Sequence, residues 1–174
     1  MKIAKNTGII SLLLLTLSCF PLIAQGEGES IRDVSGFDTI FLATPGNMYI
    51  SYGETEALQI EASAKIAHNI ECKVENKTLI INSKPLRNIR SDDVTYFITV
   101  KNISGLHTAS SGNIFAPDIT NSTISLSSSS SGEINVSAVQ AEKVEIRLTS
   151  SGDCNIGLIK TDRIKAILSS SGSL

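Results

Sequence analysis

Ser130-Ser131-Gly132-Glu133-Ile134-Asn135-Val136 opens a unit that is answered, twenty residues on, by Ser150-Ser151-Gly152-Asp153-Cys154-Asn155-Ile156. The triplet also stands at Ser110-Ser111-Gly112 and Ser170-Ser171-Gly172, so four copies follow one another at a constant spacing of 20. Two positions after each glycine come Ile114, Ile134, Cys154 and Leu174. Further columns are Ile124, Val144 and Ile164, then Leu126, Ile146 and Ala166, then Ser128, Leu148 and Leu168. Within a unit the apolar residues step by two, as in Val144-Glu145-Ile146-Arg147-Leu148. That is the period of a half-buried strand and excludes a helix. Glycine between two such runs turns the chain.

A fixed interval of this length with short strands describes stacked coils, each laid on the last at the interstrand spacing. The expected fold is therefore all-β: a right-handed parallel β-helix, a β-solenoid of about 20 residues per coil, with inward columns merging into one core and serines forming ladders. A flexible serine linker is the alternative for Ser127 to Ser131, but the unbroken register across it favours an ordered turn. Working back towards the N-terminus, residues 31 to 103 read as strands without a strict interval. They are Phe37–Leu42, Met48–Tyr52, Ala57–Ala62, Thr78–Ile81 and Val94–Val100, separated by turn signals at Pro45-Gly46-Asn47, Gly53, Glu75-Asn76-Lys77 and Lys84-Pro85. These are expected to be irregular N-terminal coils, continuous with the regular ones in a single domain over 31 to 174.

Lys2 and Lys5, the apolar stretch from Ile9 to Phe20, and Leu22-Ile23-Ala24 before Gln25 read as a secretory signal peptide over 1 to 24, cleaved after Ala24, with 25 to 30 a short linker. The stretch is shorter than the roughly 20 apolar residues a membrane span needs. Thr16-Leu17-Ser18-Cys19 is a poorer match to a lipobox, with Thr16 where Leu is usual, so lipidation of Cys19 is the lesser expectation. The predicted address is the periplasm or outer cell surface. There Cys72 and Cys154 are permitted a disulfide, although Cys154 falls in the Ile134 column and reads as a small buried hydrophobe. Composition agrees with a globular chain: 174 residues, 41% hydrophobic, net charge −2, which offers no footprint for nucleic acid.

The opening Val34-x-x-Phe37-Asp38-x-Ile40, the Gly53 turn, Leu58-Gln59-Ile60, Val74-Glu75-Asn76-Lys77-Thr78-Leu79-Ile80-Ile81 and the Ser-Gly-x-Ile units together resemble the head GIN domain family of bacterial envelope proteins, auto-transporter adhesins common in Bacteroidetes. The likeness covers residues 31 to 174 and implies a secreted or surface-associated β-helix with an adhesive role; it carries over no catalytic or binding residue. Family members generally continue for further coils, so the chain reads as truncated after Leu174, with an exposed edge open to edge-to-edge pairing.

No chemistry-bearing constellation emerges. A carbohydrate-active enzyme would need paired carboxylates. The columns Asn113, Glu133, Asp153, Ser173 and Ser122, Glu142, Asp162, the latter beside Thr123, Lys143, Arg163, read instead as a solvated face with screened cross-coil pairs. Two carboxylates, Glu133 and Asp153, fall short of the 6 to 8 oxygens that Ca²⁺ prefers. His68 and His107 lie in dissimilar segments without a partner at ligand spacing and are expected on the surface. Ser110, Ser111 and their repeats lack a Gly-x-Ser-x-Gly elbow and read as turn residues. Lys84, Arg87 and Arg90 belong to a polar surface loop. Tyr49, Tyr52 and Tyr96 offer sugar-stacking surface, except that alternation places at least one of Tyr49 and Tyr96 in the core; the lack of Trp weighs against that use. Catalytic, cofactor and metal residues are accordingly expected to be none. The expected function is a non-enzymatic adhesion or interaction module meeting an unknown protein or glycan. A structural or regulatory periplasmic domain is the alternative.

Overall fold

The computed structural model describes residues 28–84, 89–169 and 171–174. The signal-peptide reading, with Cys19 and Ala24, and Arg87 of the polar loop lie outside them. Among the described residues, twelve strands, one short α-helix and a 3₁₀ turn (Ser91–Asp93, before β7) follow in the order β1 (Glu29–Arg32), β2 (Thr39–Leu42), β3 (Asn47–Tyr52), β4 (Ala57–Ala62), α1 (Ala64–Asn69), β5 (Ile70–Glu75), β6 (Thr78–Ser83), β7 (Val94–Val100), β8 (Gly105–Thr108), β9 (Asn113–Ala116), β10 (Ile119–Ser128), β11 (Glu133–Thr149) and β12 (Asp153–Ser169). All five segments read as strands in the first half form. β1, β5 and α1 are additions to that reading.

The strands make one sheet in the order β1-β4-β7-β3-β9-β11-β10-β8-β2-β6-β5, with β12 on the other edge of β11. Two arms thus converge on β11: its Ile134–Val136 segment pairs with β9, and its Val139–Leu148 stretch pairs with β10. The repeat is realised as a parallel register at the interval in the sequence, with Ile134↔Cys154, Val144↔Ile164 and Ile124↔Val144 directly opposite. Residues 137 and 142 of β11 fall out of the ladder with β12, and the side-chain parity switches there. Both Ala141 and Val144 face inward, which requires a bend at Glu142 and curls the sheet round its core.

The right-handed parallel β-helix is nevertheless corrected to a mixed, nearly closed, barrel-like sheet. Three of its pairings, β1–β4, β4–β7 and β5–β6, are antiparallel. The two ends of the path, β1 and β5, are joined across α1: Arg32 on β1 donates from Nη2 to the Ala67 carbonyl at 2.9 Å, and α1 runs directly into β5. The reason lies in the first half, which has no interval to enforce parallel stacking. Asn76 and Lys77 there take positive φ (48° and 62°), the two-residue turn that closes an antiparallel hairpin between β5 and β6.

One core fills the space between the arms, and Ile40, Leu79, Leu106, Ile124 and Val144 of one arm join Met48, Leu58, Tyr96, Ile114 and Ile134 of the other in it. Each such buried aliphatic side chain contributes about 1.5–3 kcal/mol relative to exposure.

The repeated glycines serve close approach rather than unusual dihedrals. The described glycines at positive φ are Gly28, Gly36 and Gly46, none of them in the triplets. A Cβ on Gly132 would stand 2.5 Å from the Gly112 carbonyl oxygen, and one on Gly172 would meet the Gly152 oxygen in the same way. Nor do the serines ladder as expected. The buried hydroxyls of Thr108 and Ser128 each close their own turn, donating to the carbonyls of Gly112 (3.1 Å) and Gly132 (2.8 Å). Leu148 occupies the next place in that column and has no hydroxyl to give, and in its turn Ser150 adopts φ 70°.

Candidate functional site: two outer faces

Alternation along paired strands sends every second residue outward, so each arm presents a ruled surface whose rows run across the strands. On the arm containing β4, β7, β3 and β9, one row reads Ile31, Gln59, Phe97, Tyr49, Phe115, Asn135, Asn155, every neighbour directly opposite the next. Tyr49 is stacked between Phe97 (centroids 5.7 Å) and Phe115 (5.1 Å), yet Tyr49 and Phe97 remain 45% and 40% exposed. Phe115 also lines a shallow groove of about 500 Å³ together with Asn135, Asn155 and Leu174. Within it the Asn135 Nδ2 is buried and has no hydrogen-bond partner. Leu174 is 52% exposed, so it does not fill the inward column as its neighbours do.

The next row carries the carboxylates singled out in the sequence. Asn113 donates to Asn47 at 3.0 Å, Asn155 donates to Glu133, and Asp153 accepts from both the backbone N–H (2.8 Å) and the hydroxyl (2.7 Å) of Ser173. Those Ser173 bonds hold the Asp153 carboxyl below its ordinary pKa. At the far end of the row Glu29 and Glu61 lie directly opposite each other, bridged by Gln59, whose amide donates to both. Among the described residues no group of three His, Cys, Asp or Glu could hold a metal ion. This outer face bears carboxylates, amides and aromatics.

The other arm's face, on β8, β10, β11 and β12, is its opposite in charge. Lys143, Glu145 and Arg147 point out along β11, with Arg163 opposite Lys143 and Lys165 opposite Glu145. Lys143 bonds Glu145 at 2.7 Å along the same strand, not Glu142, which the bend carries away. Lys143 first, then Lys165 and Arg147, hold the Glu145 carboxyl below its usual range. A groove of about 230 Å³ runs beside these cations, walled by His107, Ser125, Ser127, Glu145, Arg147 and Lys165 with Ile167 at its side.

His107 is not a free surface residue as expected: it is half-buried, with Nδ1 2.7 Å from the Ser127 hydroxyl, and burial pushes its pKa down. His68 is exposed on α1. Tyr96 is fully buried, which answers the Tyr49/Tyr96 alternative in favour of Tyr49 as the exposed ring. Tyr52 is exposed at the end of β3, its hydroxyl pKa raised by partial burial and by Asp118. Cys72 and Cys154 are both free thiols; Cys154 is buried and its pKa is pushed up to about 12, as befits a small hydrophobe. In the polar loop Lys84 pairs with Glu71 at 3.3 Å, and the Arg90 backbone N–H donates to Asp93.

Comparison with known proteins places this geometry among relatives. A family model described as "Putative auto-transporter adhesin, head GIN domain" matches residues 36–174. A crystal structure from Parabacteroides distasonis described as a "Putative lipid binding protein" has a TM-score of 0.68 and 18% identity, covering 82% of this chain and 63% of its own. A "putative adhesin" from Bacteroides fragilis has a TM-score of 0.61 and 19% identity, covering 83% of this chain and 77% of its own. The chain thus spans less than two thirds of the first neighbour's length, and at these identities the likeness is one of fold. No curated protein matches the chain.

Proposed function

Since this chain belongs to the family described as "Putative auto-transporter adhesin, head GIN domain", we propose that it is an exported bacterial envelope protein acting as a non-enzymatic adhesion or interaction module. The observation that carries this reading is the row Phe97, Tyr49, Phe115: three aromatic rings stacked in register on an outer face, with Tyr49 and Phe97 left 45% and 40% exposed. Contiguous exposed apolar surface on a folded domain marks a place where a partner sits. Rigid aromatic side chains also lose little entropy on contact and dominate binding energy. Further support comes from the carboxylates of Glu133 and Asp153. Both are occupied by donors from Asn155 and Ser173, an arrangement suited to holding a surface in shape rather than to moving protons. Affinity would accumulate from repeated weak contacts along the rows.

The test is the protein's position in its native host. Protease added to intact cells should cleave an adhesion module displayed outside. Protection until the outer membrane is opened would overturn the adhesive reading and favour a structural or regulatory role in the periplasm.

A further inference from the structure

We infer that the outer face of β8, β10, β11 and β12 binds an anionic glycan, a sugar chain carrying sulfate, phosphate or carboxylate groups. The inference rests on the adhesive reading and names the ligand class for a second surface of the same module. Its starting point is a pairing that costs stability. Lys143 and Arg163 lie directly opposite on neighbouring strands, and like charges in that position destabilise a sheet. Elsewhere in this molecule such pairs are relieved. Glu29 and Glu61 share the amide of Gln59, while Glu133 and Asp153 take donors from Asn155 and Ser173. The cations are relieved only in part: one carboxylate, Glu145, pairs with Lys143 at 2.7 Å and lies opposite Lys165, and among the described residues Arg147, Arg163 and Lys165 have none within ion-pair distance, so the patch keeps an excess of positive charge. An anionic ligand would supply it.

The groove beside them fixes the class of ligand. Its walls combine the hydroxyls of Ser125 and Ser127 and the His107 ring with the Arg147 and Lys165 head groups, and the one carboxylate among them, Glu145, is already engaged by Lys143. Hydroxyls suit the hydroxyls of a sugar, and cations suit its acidic substituents. Row spacing of about 4.8 Å across strands and about 6.6 Å along them presents these groups as a lattice fitted to a repeating polymer. Charge complementarity also orients the ligand, because the opposite face carries Glu29, Glu61, Glu133 and Asp153 and would repel it.

The purified chain should bind dextran sulfate and not neutral dextran, with affinity falling as salt is raised. The double substitution Arg163→Gln/Lys165→Gln should weaken binding by at least about tenfold. Lys65→Gln/Lys101→Gln, which removes the same charge at exposed positions elsewhere, should change it by less than about twofold. Both variants should melt like the parent, which separates a lost contact from a lost fold. Equal binding of the two dextrans, or equal loss in both variants, overturns the proposal. So does binding of duplex DNA or phosphatidylglycerol vesicles as tight as that of dextran sulfate, since the surface would then read charge alone. None of these readouts depends on where the protein sits in the cell, so failure here is distinguishable from failure of the adhesive reading.

Discussion

The two halves of the molecule use the same residue types to different ends. Before Ser104 the chain turns by dihedral: Gly28, Gly36 and Gly46 take positive φ, Asn76 and Lys77 close a hairpin, and strands pair antiparallel where the chain doubles back. After it the triplet glycines serve proximity: Gly112, Gly132 and Gly172 leave room for a neighbouring backbone at ordinary φ, Ser150 is the described residue there that turns at positive φ, and strands pair parallel at a fixed interval. A glycine in a turn is therefore not one signal but two. A repeat favours the second, because the same atom must clear the same neighbour in every unit.

The largest effect that would break this comparison is at Ile134, fully buried between its column neighbours Ile114 and Cys154. Ile134→Asp buries an unpaired charge and should unfold the domain, read as loss of the cooperative melt. Glu133→Ser, one residue along and facing out, should stay within about 0.5 kcal/mol. Equal effects would mean that the parity of β11 is wrong.

The glycines come next. Gly132→Ala forces a methyl against the backbone carbonyl oxygens of Gly112 and Ser110 and the buried Thr108 hydroxyl, and should cost about 3 kcal/mol in denaturant titration. Gly36→Ala has open space and meets only the penalty of φ +79°, about 1–2 kcal/mol. The reverse order would erase the distinction between the halves.

The smallest effect concerns pH. His107 is kept neutral by burial, with its folded pKa below the unfolded value near 6.5. As pH falls through the unfolded pKa, the unfolded chain takes the proton first. Stability is thus full above about pH 7 and is lost on acidification towards the folded pKa. His107→Asn should flatten the slope of melting temperature between neutral and mildly acidic pH; an unchanged slope would place the titration elsewhere.

Much of this was legible in the sequence, for a physical reason. Side chains alternate strictly along a strand, so one register lets Ile134, Cys154 and Val144 all face inward, and the interval of the triplets fixes it. What escaped were features without an interval. α1 is six residues long, too short for a helical period to show. β5 did leave a signal in the alternation Ile70, Cys72, Val74, a run of only three apolar positions directly after the short helix. The aromatic row needs β7, β3 and β9 brought together from distant stretches, and no local pattern in Phe97, Tyr49 or Phe115 announces that. The Lys143 and Arg163 column was visible, but its partners were misassigned because the bend at Glu142 turns that carboxylate away. The closed, mixed sheet was the least legible feature, since only the pairing of β1, β4 and β5 distinguishes it from a uniform stack.

The bends at Ser137 and Glu142 carry a consequence for how such a chain can change over generations. Each bend reverses which side of the strand faces the core, and two reversals cancel, so a whole unit re-enters the next with both faces as they were. Units of this length are interchangeable cassettes: one duplicated or lost intact lengthens or shortens both outer faces together without scrambling either. An insertion of a single residue within a strand would turn that strand's surface outside in.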